Sequence, residues 1–300
     1  MNNAKLSITD FGSENHSADL VLLCPHDNDG EEFLEDYAEI AEACGATRGT
    51  LEEYIALERD RGSGELSHAI AEIFTHKTNG DYRTSIVVDN LPRGLVDTNR
   101  IGRVAIRDIV ERRTKNEVLM RRMQEEHDAI MLAKEKVMQP LAYNRGLFLD
   151  IHTMAPYNRP NDISIKPGEE NIRAYINSYL EAKRQGGTRR NIDLITDATP
   201  LSGVGNPELT AALKKHLTGA GIPWDENLPY TVPMAYGILS SYNMLKYAGL
   251  AIDVPKDSLA KHDKDGNINL LKLQTDRGKV LDIAAPIARA TIACLRERRA

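Results

Sequence analysis

The sequence lacks the features that mark several classes of protein. Of its 300 residues only three are cysteine, one is tryptophan and 5% are aromatic. The cysteines are odd in number and match no paired motif, which argues against a disulfide scaffold and fits a reducing compartment. No apolar stretch approaches the length of a membrane span, and the N-terminal residues contain no signal-peptide core. We therefore expect a cytoplasmic protein that does not bind membranes.

An excess of positive charge is also missing. The formal net charge is −6 and the pI is about 5.8, which argues against nucleic acid as a partner. No glycine-rich phosphate-binding motif follows the first predicted strand, so a nucleotide-binding enzyme is set aside. The glycine-rich turn at 61–65 is interpreted as a connector between helices. The sequence leaves open whether copies of the chain form a homo-oligomer.

Short apolar runs alternate with longer amphipathic segments. Nearly continuous hydrophobicity predicts buried strands at 18–24, 84–90, 146–152, 191–196 and 249–254. Helical patterns lie at 30–45, 63–76, 99–144, 168–187, 206–222 and 282–299. This alternation predicts an α/β fold, a three-layer α/β/α arrangement with a mixed, mostly parallel central sheet of the phosphorylase/hydrolase-like kind. No linker divides the chain, so we expect one domain over residues 1–300.

Polar side chains gather where the predicted strands end, which is where open α/β sheets place their functional groups. His26 and Asp29 follow the first strand three residues apart, and His152 ends the third strand. Imidazole nitrogens and carboxylate oxygens suit Zn²⁺, and a catalytic zinc keeps three protein ligands. The spacing therefore makes these three residues a candidate metal site, with Asp150 as a candidate hydrogen-bond partner of the ligating His152. The alternative is that these side chains lie in a loop or at a strand end and only form hydrogen bonds to the backbone there.

Two arginines follow the second predicted strand, in the segment "PRGLVDTNR" at 92–100. A hydrolase that cleaves an amide next to a carboxylate needs one cation to polarise the carbonyl and another to hold the carboxylate. Arg93 and Arg100 are candidates for these tasks. The alternative is a surface segment in which Asp97 or Asn99 begins a helix.

The segments "PHDND", "DTNR" and "DIHT", each after a strand, resemble motifs of the N-formylglutamate amidohydrolase family. More distantly, the chain is similar to the group of aspartoacylase, succinylglutamate desuccinylase and zinc carboxypeptidases. The resemblance covers roughly residues 18 to 260, and "NLPYT" at 227–231 is similar to an N-x-P-Y segment of the formylglutamate enzymes. It departs at "PYTVPMAYG", where those enzymes have glycines after the tyrosine.

The resemblance implies one zinc ion per chain, held by His26, Asp29 and His152. Asp29 stands where the wider group has glutamate, and Glu31 and Glu32 are nearby substitutes. The likeness further implies that Asn99 and Arg100 bind the substrate carboxylate and that Arg93 polarises the scissile carbonyl. Asp253, in "GLAIDVPKD", stands where the wider group has the catalytic glutamate that activates water.

These observations favour a zinc-dependent amidohydrolase that acts on a small N-acyl amino acid such as N-formylglutamate. A carboxypeptidase-like metallopeptidase acting on a short peptide or a γ-linked glutamyl polymer is the second hypothesis. A catalytically inactive ligand-binding relative is the third, because two aspartates replace glutamates of the family. Metal content distinguishes the third hypothesis from the first two.

Overall fold

The structure, a computed structural model, describes residues 6–13, 17–27, 39, 43–111, 117–160, 164–228, 234 and 237–300. The strands are β1 Leu6–Phe11, β2 Leu20–Cys24, β3 Thr84–Asp89, β4 Leu147–Met154, β5 Ile192–Ile195, β6 Trp224–Glu226 and β7 Gly249–Pro255. The helices are α1 Arg48–Glu58, α2 Ser63–Lys77, α3 Asp108–Glu111, α4 Glu117–Met138, α5 Leu141–Asn144, α6 Glu169–Leu180, α7 Pro207–Gly219, α8 Leu239–Lys246, α9 Lys256–Leu259 and α10 Arg277–Arg299. A 3₁₀ turn covers Gly102–Ala105.

The strands form one seven-stranded sheet in the order β1-β3-β2-β4-β7-β5-β6. The central strands β3, β2, β4 and β7 are parallel, whereas β5 runs antiparallel to β7 and β1 antiparallel to β3. The predicted α/β class with a mixed, mostly parallel sheet is therefore confirmed. All five predicted strands are present, and the sequence prediction missed only β1 and β6 among the described strands. β1 is a mostly exposed edge strand and β6 has three residues, so neither has the continuous apolar pattern of a buried strand.

The register of the sheet shows that helices cover both faces. Cys24 of β2 pairs with Val88 of β3, and its Sγ lies 2.9 Å from Ser67 Oγ of α2. The next residue of β3, Asp89, forms an ion pair with Lys134 of α4. Because successive residues of a strand point to opposite faces, α2 and α4 lie on opposite sides of the sheet.

The face covered by α4 carries a row of polar side chains across neighbouring strands. His152 of β4 pairs with Asp253 of β7, and Asp253 pairs with Asp193 of β5. Asp150 lies two residues before His152, so it points to the same face. All four side chains are buried, and this row places the candidate site on the α4 side of the sheet.

None of the described helices is long and apolar enough to cross a membrane. A cytoplasmic location stays a prediction.

Candidate functional site

His26 is buried just beyond the end of β2, and only 1% of it is exposed. Neither ring nitrogen forms a hydrogen bond with any described residue. Nε2 lies 3.3 Å from Asp97 Oδ1, without the alignment of a hydrogen bond. Burial and the nearby Arg93 charge lower the pKa of His26 to about 3, so the imidazole is neutral. A buried neutral imidazole with two unused nitrogens is a group that still needs a partner.

Asp60 lies in the short connection between α1 and α2, next to His26. Its backbone N–H donates to the His26 carbonyl at 2.8 Å, which joins the two loops directly. Gly62 has a φ of 96° and allows the chain to turn from α1 into α2 within a few residues. Arg93 Nη1 donates to Asp60 Oδ1 at 3.2 Å. These contacts hold the Asp60 carboxylate at the end of β2.

His152, on β4, lies between two carboxylates. Nδ1 is 3.0 Å from Asp60 Oδ2, and Nε2 is 3.2 Å from Asp150 Oδ1. Burial by itself lowers the pKa of His152, but Asp150 and Asp60 outweigh it and raise the pKa to about 10. A metal cation would replace the proton at this position, because the same carboxylates attract either positive charge.

His26, Asp60 and His152 each offer a ligand atom, and these atoms lie within 4.8 Å of one another. Two imidazoles and one carboxylate form a donor set that suits zinc, and three protein ligands are typical of a catalytic site. The unpartnered nitrogens of His26 have an obvious role in this set, since a metal would use one of them. The residues present therefore fit a zinc ion.

The predicted carboxylate ligand differs from the one that the structure brings to this cluster. Asp29, Glu31 and Glu32 lie outside the described residues, so their part in metal binding stays a prediction. Asp60 was missed, because it directly precedes the segment interpreted as a connector and lies 34 positions from His26. The only local signal is a charged residue between a helix end and a glycine-rich turn, and such residues are common on surfaces.

The segment Asp97–Arg100 forms a loop beside the two histidines and does not begin a helix at Asp97 or Asn99. Asp97 accepts hydrogen bonds from Arg100 Nε at 3.1 Å and Arg107 Nη1 at 3.4 Å. Burial by itself raises the pKa of Asp97, but the Arg93, Arg107 and Arg100 guanidinium charges outweigh it and hold the pKa well below its usual range. Asp97 is therefore a fixed negative charge next to His26.

Asn99 and Ser240 connect this loop to the start of α8. Ser240 donates to Asn99 Oδ1 from its backbone N–H at 3.1 Å and its hydroxyl at 3.0 Å. The same hydroxyl also lies within hydrogen-bond distance of Asp150 Oδ2, so its single hydrogen is shared between Asn99 Oδ1 and Asp150 Oδ2. Asn99 Nδ2 lies 3.4 Å from His152 Nε2. Asn99 thus lies beside the predicted ligand His152.

Asp253 lies next to His152 in the sheet, at paired positions of β7 and β4. Its Oδ1 is buried and forms no hydrogen bond within the described part of the chain. Burial and the Asp60 charge raise the pKa of Asp253 to about 7. The structure therefore places this predicted catalytic residue beside the candidate metal site, with a carboxylate oxygen that no described residue engages.

A cavity of about 290 Å³ opens over the cluster. Its lining includes the residues predicted from sequence, namely Arg93, Asn99, Arg100, His152 and Asp253. Further charged or polar residues in the lining are Glu58, Asp60, Arg107, Thr153, Tyr175, Tyr179, Arg190, Ser240 and Lys256. Arginine and lysine outnumber aspartate and glutamate here, so the cavity favours an anionic molecule.

Two crystal structures share the fold of this chain. N-formylglutamate amidohydrolase from Ralstonia eutropha JMP134 aligns with 97% of this chain and 98% of its own, at a TM-score of 0.57 and 14% identity. The chain therefore shares the α/β fold of that structure. A gene product of Agrobacterium tumefaciens aligns with 99% of this chain and 96% of its own, at a TM-score of 0.59 and 12% identity. No protein-family model and no curated protein sequence matches the chain, so the likeness predicted from the motifs is established at the level of the fold.

Proposed function

We propose that this protein is a zinc-dependent amidohydrolase that cleaves the amide bond of an N-acyl amino acid. The observation that carries the proposal is the buried His26 ring, whose nitrogens have no hydrogen-bond partner among the described residues and which offers a ligand atom within 4.8 Å of those of Asp60 and His152. We assign the zinc ligands as His26, Asp60 and His152. Asp29 remains the sequence-based alternative to Asp60.

Zinc bound there would supply an activated water and would polarise the amide carbonyl. The chain's own residues surround the ligands: Asp150 Oδ1 lies 3.2 Å from His152 Nε2, and Arg93 donates a hydrogen bond to the Asp60 carboxylate. Such outer partners keep a ligand in its binding orientation and raise its basicity. Arg93 is one-third exposed towards the cavity side, so it can also polarise the scissile carbonyl.

Asp253 is our proposed general base. It would take a proton from the attacking water and deliver it to the leaving amine. The assignment rests on its place beside His152 and on its unpartnered Oδ1 in the cavity lining. Geometry is the first requirement for a general base, and the position of Asp253 beside His152 supports the assignment.

Asn99 and Arg100 are our proposed binding groups for the substrate carboxylate. Within the described part of the chain, the Arg100 side chain contacts Asp97 through Nε alone, so its terminal nitrogens can serve the cavity that it lines. A carboxylate held there would fix the acyl group over the metal ligands and convert binding energy into orientation. The cavity volume of about 290 Å³ suits a small N-acyl amino acid better than a polymer.

The first experiment measures zinc in the purified protein by elemental analysis, for wild type and for His152→Ala. We expect about one zinc per chain in wild type and its loss in the variant. The wild type is then assayed with N-formylglutamate, other N-acyl amino acids and peptides with a free C-terminus. Release of an amino acid from the N-acyl compounds supports the proposal, and cleavage of the peptides alone would replace it with a metallopeptidase. No zinc in either protein after incubation with zinc would leave a ligand-binding relative.

A further inference from the structure

Helix α4 presents two polar residues on its buried face. The buried positions are Leu119, Met123, His127, Ile130, Lys134 and Met138. Their spacing of three or four residues describes a single stripe facing the protein interior, and four of the six are apolar. Burying a histidine and a lysine costs free energy that leucine or methionine at the same positions would avoid. These two side chains therefore need a reason beyond packing.

Each of the two contacts a backbone carbonyl of the loop that carries the proposed carboxylate-binding residues. His127 Nε2 lies 2.7 Å from the Arg100 carbonyl oxygen. Since a carbonyl only accepts, this contact requires the hydrogen on Nε2. Lys134 Nζ donates to the Thr98 carbonyl at 3.4 Å and pairs with Asp89 at the end of β3.

The carbonyl between them is also engaged. Leu239, the first residue of α8, donates its backbone N–H to the Asn99 carbonyl at 2.7 Å. Each carbonyl from Thr98 to Arg100 thus accepts a hydrogen bond. The donor to Thr98 and the donor to Arg100 belong to α4, and the donor to Asn99 belongs to α8. The Thr98 hydroxyl further donates to the Pro25 carbonyl at 2.9 Å, immediately before His26. These hydrogen bonds hold the backbone of the loop, while the Asn99 and Arg100 side chains line the cavity.

We infer that His127 and Lys134 are positioning residues that hold the Thr98–Arg100 backbone so that Asn99 and Arg100 meet the substrate carboxylate. They lie behind the loop, do not line the cavity and do not belong to the metal cluster. Their loss would therefore weaken substrate binding without removing the metal. This inference rests on the proposed function, because it takes Asn99 and Arg100 as the carboxylate-binding groups.

The test compares His127→Phe, which keeps a ring and removes the donor, with His127→Gln, which restores an N–H donor on a flexible chain. Ile130→Ala opens a cavity on the same buried stripe and removes no hydrogen bond to the loop, so it is the matched control for lost stability. In an assay of N-formylglutamate hydrolysis, we expect the KM of His127→Phe to be about tenfold higher than that of wild type, with a smaller change in kcat. Zinc content should stay at the wild-type value, and His127→Gln should recover most of the lost affinity.

A second measurement is independent of activity. In His127→Phe, hydrogen exchange should accelerate at the amides of Arg100, Ile101 and Leu239. Each of these amides donates a hydrogen bond to a backbone carbonyl in the loop or beside it. The double variant Lys134→Met with Asp89→Leu removes the other anchor without leaving a buried charge and should accelerate the same amides. Ile130→Ala should leave them at the wild-type rate.

The anchor variants could show faster exchange confined to the loop while the wild type hydrolyses no N-acyl amino acid. That result would support the anchoring and overturn the proposed function. Unchanged exchange at these amides in both anchor variants would overturn the positioning inference, even if the enzyme is active. A KM that rises equally in His127→Phe and Ile130→Ala would overturn it as well, since general destabilisation would then explain the effect.

Discussion

The two faces of the sheet are covered by helices of different character. The buried face of α2 is made of small or apolar residues, among them Leu66, Ile70 and Phe74. The buried face of α4 carries His127 and Lys134 in an otherwise apolar stripe. The buried row Asp150, His152 and Asp253 points to the α4 side. The α2 face of this sheet is thus covered by small and apolar side chains, whereas the α4 face combines apolar packing with buried polar groups that form the candidate site.

The largest loss of stability is expected on the apolar face. Phe74 of α2 is fully buried, and Phe74→Ala should lower the free energy of unfolding by about 3–5 kcal/mol. Urea unfolding measures the loss, and Leu132→Ala on the exposed side of α4 is the control, with an expected change below about 0.5 kcal/mol. Zinc content of the folded fraction should not change. A loss of zinc in folded Phe74→Ala would show that the two faces are not separate in function.

A comparable loss on the polar face should have a different cause. Lys134→Met removes the cation from the buried Asp89 carboxylate and should cost about 3–5 kcal/mol. Adding Asp89→Leu removes the uncompensated charge, so the double variant should recover most of this stability. The comparison uses unfolding curves of both variants. If the double variant were no more stable than the single one, lost packing rather than the unpaired charge would be responsible.

The third effect concerns the metal rather than the fold. Asp60→Asn keeps the volume of the side chain and removes its charge, and we expect zinc affinity to fall by more than about 100-fold. Competition with a chelator gives the affinities of Asp60→Asn, Asp29→Asn and wild type. Zinc loss in Asp29→Asn with normal affinity in Asp60→Asn would reverse the assignment of the carboxylate ligand.

The smallest effect tests a helix on the apolar side. Asn206 caps α7, because its side chain accepts from the Leu209 backbone N–H at 2.8 Å. Asn206→Ala should lower the free energy of unfolding by about 1 kcal/mol. Thermal unfolding detects this change, while zinc affinity should equal that of wild type. A shift in zinc affinity would connect α7 to the site, against the separation proposed here.

The strands and the histidines could be predicted because their signals are local. Each central strand is a continuous apolar run bounded by polar residues, and the predicted runs agree with β2, β3, β4, β5 and β7 within two residues at either end. His26 and His152 follow from the rule that functional groups lie near the carboxyl ends of parallel strands. The structure brings their rings together, with centroids 5.3 Å apart.

Asp60, Ser240, His127 and Lys134 could not be predicted in the same way. Asp60 lies in a connection that resembles any polar turn, and Ser240 begins a short helix. His127 and Lys134 are charged or polar members of a strongly charged helix, and the sequence pattern favours a solvated position for such residues. Their burial depends on how α4 lies against the loop at 97–101, which no local pattern describes.

The sequence by itself therefore determined the α/β architecture and the two histidines, because hydrophobic periodicity and strand ends are properties of neighbouring residues. Only the tertiary structure brought Asp60 to the two histidines and placed His127 and Lys134 against the loop at 97–101. Those positions are set by contacts between distant segments, such as the hydrogen bond from the Asp60 N–H to the His26 carbonyl. Contacts of this kind form only when the whole sheet and its helices are packed together.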